Sequence, residues 1–380
     1  MNMPRLGNVA LCALLMPILV QASENPFRPC ENDLCRSDYS RAISCYDRMF
    51  PSVIGASCES RTRALVNWGE ALLGEGNYID GWKKRDARLE QYHTRLVRPW
   101  DGSNPRGKTI LIRCEGGFGD TFFFARYVSL LHDFGACTIV LTQNPLKSLM
   151  ALCPYIDRVI NGRDELPAFD YDVYMMSLPL YLAHNKCTNR AMLTPTTLCT
   201  VPDIGQYIFA HPRLAAQWKA KLPKNKFKIG ICWKSSTLPA GVVRMLQRDI
   251  PLEMLARIGK IPNVELYNVL DGKPMVADNC VQINGLGDDF DKAGPFMDTA
   301  AVIQNMNLII SVDTAVPNLA GAMFKETWVL LPYESDWRWG SARESTSPWH
   351  PTARLFWQSK QGDWEPVIEK VTAELIKKMH

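Results

Sequence analysis

Two stretches far apart in this chain share one design: an apolar run, a turn of small or acidic residues, then a second apolar segment. The first runs from Thr109 through Ile110, Leu111 and Ile112 to Glu115, Gly116, Gly117, Phe118, Gly119 and Asp120. The second runs from Leu308 through Ile309 and Ile310 to Ser311, Val312, Asp313, Thr314 and Ala315, continuing from Val316 to Gly321. Each reads as a buried strand turning into a helix, which is where parallel α/β sheets hold ligands. Two such turns predict two sheets facing each other. A cleft between two Rossmann-like halves suits an enzyme that joins two substrates.

The remaining chain alternates in the same sense. After a linker at 99–107, strands are expected at Thr109–Arg113, Cys137–Thr142, Arg158–Ile160 and Tyr171–Met176, with helices at Asp120–Phe134 and Leu146–Leu152. A helix from Pro212 and a Pro-Lys linker lead to a second series: strands at Lys228–Trp233, Val264–Val269, Leu308–Val312 and Thr327–Leu331, helices at Leu252–Ile258, Thr299–Asn305, Val316–Met323 and Pro366–Met379. Strand and helix in alternation argue for parallel sheets with crossover helices. The boundary falls near residue 223, giving one α/β half over 101–222 and a second over 223–380.

Upstream, Ala64–Trp68, Ala71–Leu73 and Tyr78–Trp82 fit two helices broken at Gly74–Asn77, a helical cap over residues 61–100. It looks like one unit of a helical repeat array without a second copy. Residues 23–60 are a cysteine-rich segment. Cys30, Cys35, Cys45 and Cys58 crowd there, where an oxidising compartment lets thiols pair, although spacing does not settle the connectivity. No second close pair of zinc spacing follows Cys30 and Cys35, which argues against a metal site. Cys114, Cys137 and Cys232 lie in or beside apolar strand-like runs and read as small hydrophobes.

The first residues carry one arginine, an apolar Val9–Val20 and then Gln21-Ala22-Ser23. This reads as a secretory signal ending at residue 22, with an uncleaved segment holding the chain beside a membrane as the alternative. The net charge is only +4 with both signs interspersed, so nothing in the charge pattern argues for nucleic acid.

The chemistry concentrates in the turns. Gly116, Gly117 and Gly119 let backbone approach a ligand, and the helix start that follows favours negative charge. Phe122 occupies the place of the third glycine of a dinucleotide fingerprint, which disfavours a nicotinamide dehydrogenase. Asp120 reads either as a helix-start residue stabilised by the dipole or as a ligand-facing carboxylate. Thr314 and the N–H groups after it are parts able to hold a diphosphate, or else an ordinary cap. Lys234, at the end of a strand in the second half, faces the crevice where a cation can neutralise phosphate, and Arg248 can join it.

Beyond these patterns, the order of Gly81-Trp82, Gly119-Asp120-Thr121, Ala125-Arg126-Tyr127, Ser177-Leu178-Pro179, Trp233, Arg248–Leu252, Ser311–Ala315, Leu331–Trp339, Ser347-Pro348-Trp349, Arg354-Leu355-Phe356 and Gly362-Asp363-Trp364 resembles the catalytic region of bacterial glycosyltransferases fused to tetratricopeptide repeats. These are relatives of the ADP-heptose:lipopolysaccharide heptosyltransferases, glycosyltransferase family 9. The resemblance covers roughly residues 60 to 375.

The resemblance implies an α/β, GT-B-like fold of two Rossmann-like domains around a central cleft. It further implies a metal-independent, inverting transfer from a nucleotide-diphosphate sugar to an acceptor hydroxyl of a glycan or protein, with no cofactor. Asp120 would be the general base, beside the acceptor-side turn of Gly116, Gly117 and Gly119 and the following Arg126. Lys234, Arg248, Asp313, Thr314, Ala315 and Asn318 would hold the donor. The chain departs from the family at Phe118, where relatives carry Leu, and at Asn318, where they carry His.

A second class of reading is a secreted, non-catalytic nucleotide-sugar or glycan-binding protein that kept the cleft. Export favours it, because nucleotide sugars are made in the cytosol. A third is a sugar-phosphate or nucleotide-modifying enzyme on a similar fold. The tryptophans at 337, 339, 349, 357 and 364 are expected at the domain junction, with the C-terminal helix crossing back to the first half. Specificity is expected in the loops 184–203 and 237–247.

Overall fold

The computed structural model describes residues 25–36, 38–52, 57–91, 95–183, 204–235, 248–278, 281–340 and 344–379. The expected signal segment and both expected specificity loops lie outside the described residues.

Two helical pairs open the described chain. Helices α1 (Arg28–Cys35) and α2 (Tyr39–Ser52) precede α3 (Cys58–Gly74) and α4 (Tyr78–Arg85), followed by a 3-10 turn over Asp86–Gln91. The break between α3 and α4 falls at the Gly-rich Gly74–Asn77, as the glycines predict. Bare glycines let these two helices cross closely: a Cβ at Gly69 would lie 2.7 Å from the Arg85 nitrogen and the Gly81 oxygen. The cysteine-rich segment holds the second helical pair that was not found in the sequence. Cys30 on α1 is joined to Cys45 on α2, while Cys58 is exposed and unpaired.

The first sheet contains β1 (Thr109–Arg113), β2 (Cys137–Leu141), β3 (Arg158–Ile160) and β4 (Tyr171–Tyr174), in the order β3-β2-β1-β4 and all parallel. Around it lie α5 (Phe118–Asp133), a short α6 (Lys147–Met150) and α7 (Leu178–Ala183). Next comes α8 (Pro212–Lys221), and the second sheet takes β5 (Phe227–Cys232), β6 (Val264–Asn268), β9 (Leu308–Val312), β10 (Thr327–Leu331) and β11 (Ala353–Trp357). Its order is β11-β10-β9-β5-β6, again parallel. A small antiparallel hairpin, β7 (Met275–Asp278) with β8 (Val281–Ile283), stands beside it. Its helices are α9 (Ala256–Gly259), α10 (Met297–Asn305), α11 (Ala315–Ala322) and α12 (Glu365–Met379). Both orders are of the doubly wound kind, with strand order reversing beside β1 and beside β5. Strands β9 and β10 are buried along their whole length, as strands covered on both faces must be.

Several expectations change in three dimensions. The helix over Leu252–Ile258 is a 3-10 turn, Leu252–Leu255, running into α9. Cys137 is exposed because it is the first residue of β2, at the strand's N-terminal end. Helix α8 packs on α10 of the second half, where Trp218 Nε1 donates to Asp298 at 2.7 Å. The C-terminal helix does not cross back: α12 lies on β11 and α9, with Val367, Ile368, Val371 and Leu375 buried in the second core. The loop between β10 and β11 crosses instead. Trp337 and Trp349 from it meet Phe123 of α5 and Trp82 of α4 with ring centroids 5.0 to 6.4 Å apart. Trp339 and Trp364 are buried within the second half, and Trp357 lines its edge. One apolar cluster thus runs from Phe27 in the first helical pair through Trp82 and Phe123 to Trp337 and Leu319. Among the described residues no helix is long and apolar enough to cross a membrane.

Candidate functional site

Strand β1 ends at Arg113, and the chain turns through Glu115, Gly116 and Gly117 into α5. Gly116 has φ +72°, and a Cβ there would sit 2.5 Å from Asp120 Oδ2 and 2.6 Å from Met176 Cε, so the turn admits only glycine. Gly117 N–H donates to Asp120 Oδ2 at 2.8 Å. Asp120 therefore performs the helix-start role that local spacing allowed, with one oxygen. Its other oxygen is paired directly with the guanidinium of Arg338.

Opposite this turn lies the start of α11. Gly119 packs so closely that a Cβ on it would be 3.4 Å from both Ala315 Cα and Asn318 Nδ2 and 3.7 Å from the Thr314 carbonyl. The two turns singled out in the sequence, one from each sheet, meet face to face. Thr314 Oγ1 accepts from Val316 N–H at 3.3 Å, and Asn318 Nδ2 donates to the Thr314 carbonyl at 2.9 Å. Asn318 Oδ1 is buried without a hydrogen-bond partner.

The other expected donor residues surround this turn. Arg248 donates to the Asp313 carbonyl at 3.0 Å and lies 3.3 Å from its carboxylate, so it braces the turn from behind. Asp313 is buried, and burial raises its pKa against the pull of Arg248. Lys234 is exposed beyond the end of β5, its Nζ 6.0 Å from the Trp233 ring centre. The buried thiol of Cys232 reaches the Lys234 carbonyl at 3.5 Å and Thr314 Oγ1 at 3.6 Å, tying the ends of β5 and β9 together.

Arg126 stands apart from the turn. It is buried two turns into α5, donating to the carbonyls of Phe123 at 2.9 Å and Trp349 at 2.8 Å and to Tyr207 Oη at 2.8 Å. Its guanidinium is engaged in joining α5 to the crossing loop, which corrects its placement on the acceptor-side turn.

Four charged residues at the site were not assigned roles from the sequence. Arg338 comes from the crossing loop, and its other arm donates to Asp336 at 2.9 Å. Burial works against its charge, but the carboxylates of Asp336, Asp120 and Asp313 outweigh this and raise it above the usual arginine range. Asp336 is partly withdrawn from water, yet Arg338 and its backbone N–H hold its carboxyl below the usual range. Beneath the glycine turn, Arg88 grips Glu115 through Nε at 3.1 Å and Nη2 at 2.7 Å. The only local signals were Glu115 directly before the glycines and Arg338 between two tryptophans.

Among the described residues no cluster of three or more His, Cys, Asp or Glu side chains is arranged to hold a metal ion.

No family model matches the chain. It is 24% identical to Protein FlbA of Caulobacter vibrioides over 386 residues, which covers 90% of this chain and 61% of that protein, so the chain spans less than two thirds of that relative. In structure it is similar to a glycosyltransferase family 9 protein from Veillonella parvula, with a TM-score of 0.51 and 12% identity over 73% of this chain and 99% of that one. It also aligns with the ADP-heptose LPS heptosyltransferase II of E. coli at a TM-score of 0.44 and 14% identity, over 72% of this chain and 100% of that one. The Veillonella likeness shows the fold, two Rossmann-like halves of the GT-B type.

Proposed function

We propose that this protein is an inverting glycosyltransferase moving a sugar from a nucleotide-diphosphate donor to an acceptor hydroxyl of a glycan or protein. The observation that carries the reading is the meeting of the two turns, Gly119 against Ala315 and Asn318, one residue before Asp120. The glycosyltransferase fold supports it.

In this reaction Asp120 takes the proton of the acceptor hydroxyl. The freed oxygen attacks the anomeric carbon from the side opposite the diphosphate, and the bond from that carbon to the diphosphate oxygen breaks. Thr314, the N–H of Ala315 and the exposed Lys234 stabilise the charge of the departing nucleotide without calling on a metal. Arg248 acts one step back by holding Asp313. The Cys30–Cys45 disulfide supports an oxidising compartment for the cysteine-rich segment, and with it the proposal that the chain is exported behind its N-terminal segment.

One observation favours the non-catalytic reading. Asn318 has its amide nitrogen engaged on Thr314, leaving an oxygen that repels phosphate. The two readings part in one experiment: a panel of UDP-, GDP-, ADP- and CMP-sugars screened by thermal shift, followed by an assay of sugar release or transfer from those that bind. A donor that binds the native state raises the melting temperature by mass action. Binding with turnover supports the transferase, binding without turnover supports the binding protein, and a panel without any shift removes both.

A further inference from the structure

We propose that Arg338 is the positioning residue for the base, carried to Asp120 from the opposite half of the molecule. This rests on the reading of Asp120 as the base of sugar transfer. Asp120 stands on α5, which follows β1, whereas Arg338 stands 218 residues later on the loop between β10 and β11. Among the described residues each oxygen of the carboxylate has one partner, Gly117 N–H on Oδ2 and Arg338 on Oδ1. A carboxylate oxygen has two lone pairs, so each keeps one for an incoming hydroxyl. The Asp120 side chain remains 19% exposed, which leaves the hydroxyl a path to it.

Arg338 is itself fixed at both ends. Nη1 donates to Asp336 Oδ1 at 2.9 Å, and the same oxygen accepts the backbone N–H of Arg338 at 3.0 Å. The guanidinium lies over the rings of Trp337 at 4.8 Å and Phe123 at 5.1 Å. A base held by a third group that is held in turn is the arrangement that proton transfer needs, because no reorientation is then required during reaction. The base is complete only while the crossing loop is docked on α5, so closure of the halves and readiness of Asp120 are one event.

The test compares Arg338→Gln, Arg338→Lys, Asp120→Asn and the double variant Arg338→Gln/Asp120→Asn. The probe is the nucleotide sugar giving the largest melting shift with the parent protein. Arg338→Gln is expected to lower kcat about 100-fold while donor KM and the donor-induced melting shift stay unchanged. The double variant should be no slower than Asp120→Asn, and Arg338→Lys should recover part of the rate. Parental kcat in Arg338→Gln, or losses that multiply in the double variant, would overturn the assignment while leaving Asp120 as base. Full turnover in Asp120→Asn would instead remove the base beneath it. Should Arg338→Gln not fold, Asp336→Asn, which releases Arg338 from its other end, is read by the same criteria.

Discussion

Glu115 and Arg88 are joined by two charge-assisted hydrogen bonds, of 2.7 and 3.1 Å, although one belongs to the turn after β1 and the other to the helical cap. Both side chains are almost fully withdrawn from water. Glu115 Oε1 also accepts the N–H of Met176, and Arg88 donates to Ser177 at 2.9 Å. The cap is thereby anchored underneath the candidate site.

Removing Arg88 strands the buried charge of Glu115, whereas removing Glu115 leaves Arg88 its ion pair with Asp86. Arg88→Met is expected to cost about 3–5 kcal/mol in urea unfolding, and Glu115→Gln less. Combining the two should cost less than the sum, since neither charge is then left alone. A loss below about 1 kcal/mol for Arg88→Met would mean that the pair does not anchor the cap.

Asp120→Asn keeps the shape of the helix start but removes the acceptor of a proton. The proposed chemistry requires a fall in kcat of about 10²–10⁴, with donor binding in thermal shift preserved. A variant as fast as its parent would take the base assignment away.

The Cys30–Cys45 bond closes a loop with a sequence separation of 15. Chain-entropy arguments put the stabilisation from a loop of that length at about 3 kcal/mol. Cys45→Ser should therefore unfold at lower denaturant concentration than the parent, and coincident unfolding curves would count against it.

Glycines distinguish close crossings from open turns. An alanine at Gly69 meets backbone atoms of Arg85 and Gly81 at 2.7 Å, which cannot move aside as a flexible side chain would. Gly69→Ala should lower stability by about 1–3 kcal/mol. At Gly162 a Cβ finds nothing within 4 Å, so Gly162→Ala should melt with the parent. Equal melting of the two variants would refute the tight crossing of α3 and α4.

Buried His350 is held neutral, its pKa well below the usual 6.5 through burial and the nearby charges of Arg126 and Arg338. Because the unfolded chain takes up this proton more readily, stability present above pH 6.5 is lost as pH falls towards the folded value. The slope from this group is about 1.4 kcal/mol per pH unit. Unfolding measured from pH 7 down to pH 5 should show the parent losing stability faster than His350→Asn, and parallel profiles would exclude the effect.

What the residues determined locally was legible from their order. Ile110–Ile112 and Leu308–Ile310 are apolar runs short enough only for buried strands, and glycine or a capping hydroxyl marks where each helix starts. The linear order also revealed both turns of the candidate site, together with the expectation that they face one another. The partners of the charges were decided by tertiary structure alone. Arg338 reaches Asp120 across 218 residues, Arg126 goes to the crossing loop rather than to the turn, and α12 stays on its own sheet. The reason is physical: backbone preference and hydrophobic period act over a few residues, whereas a buried guanidinium takes whichever carboxylate or carbonyl the packing of distant elements brings within about 3 Å.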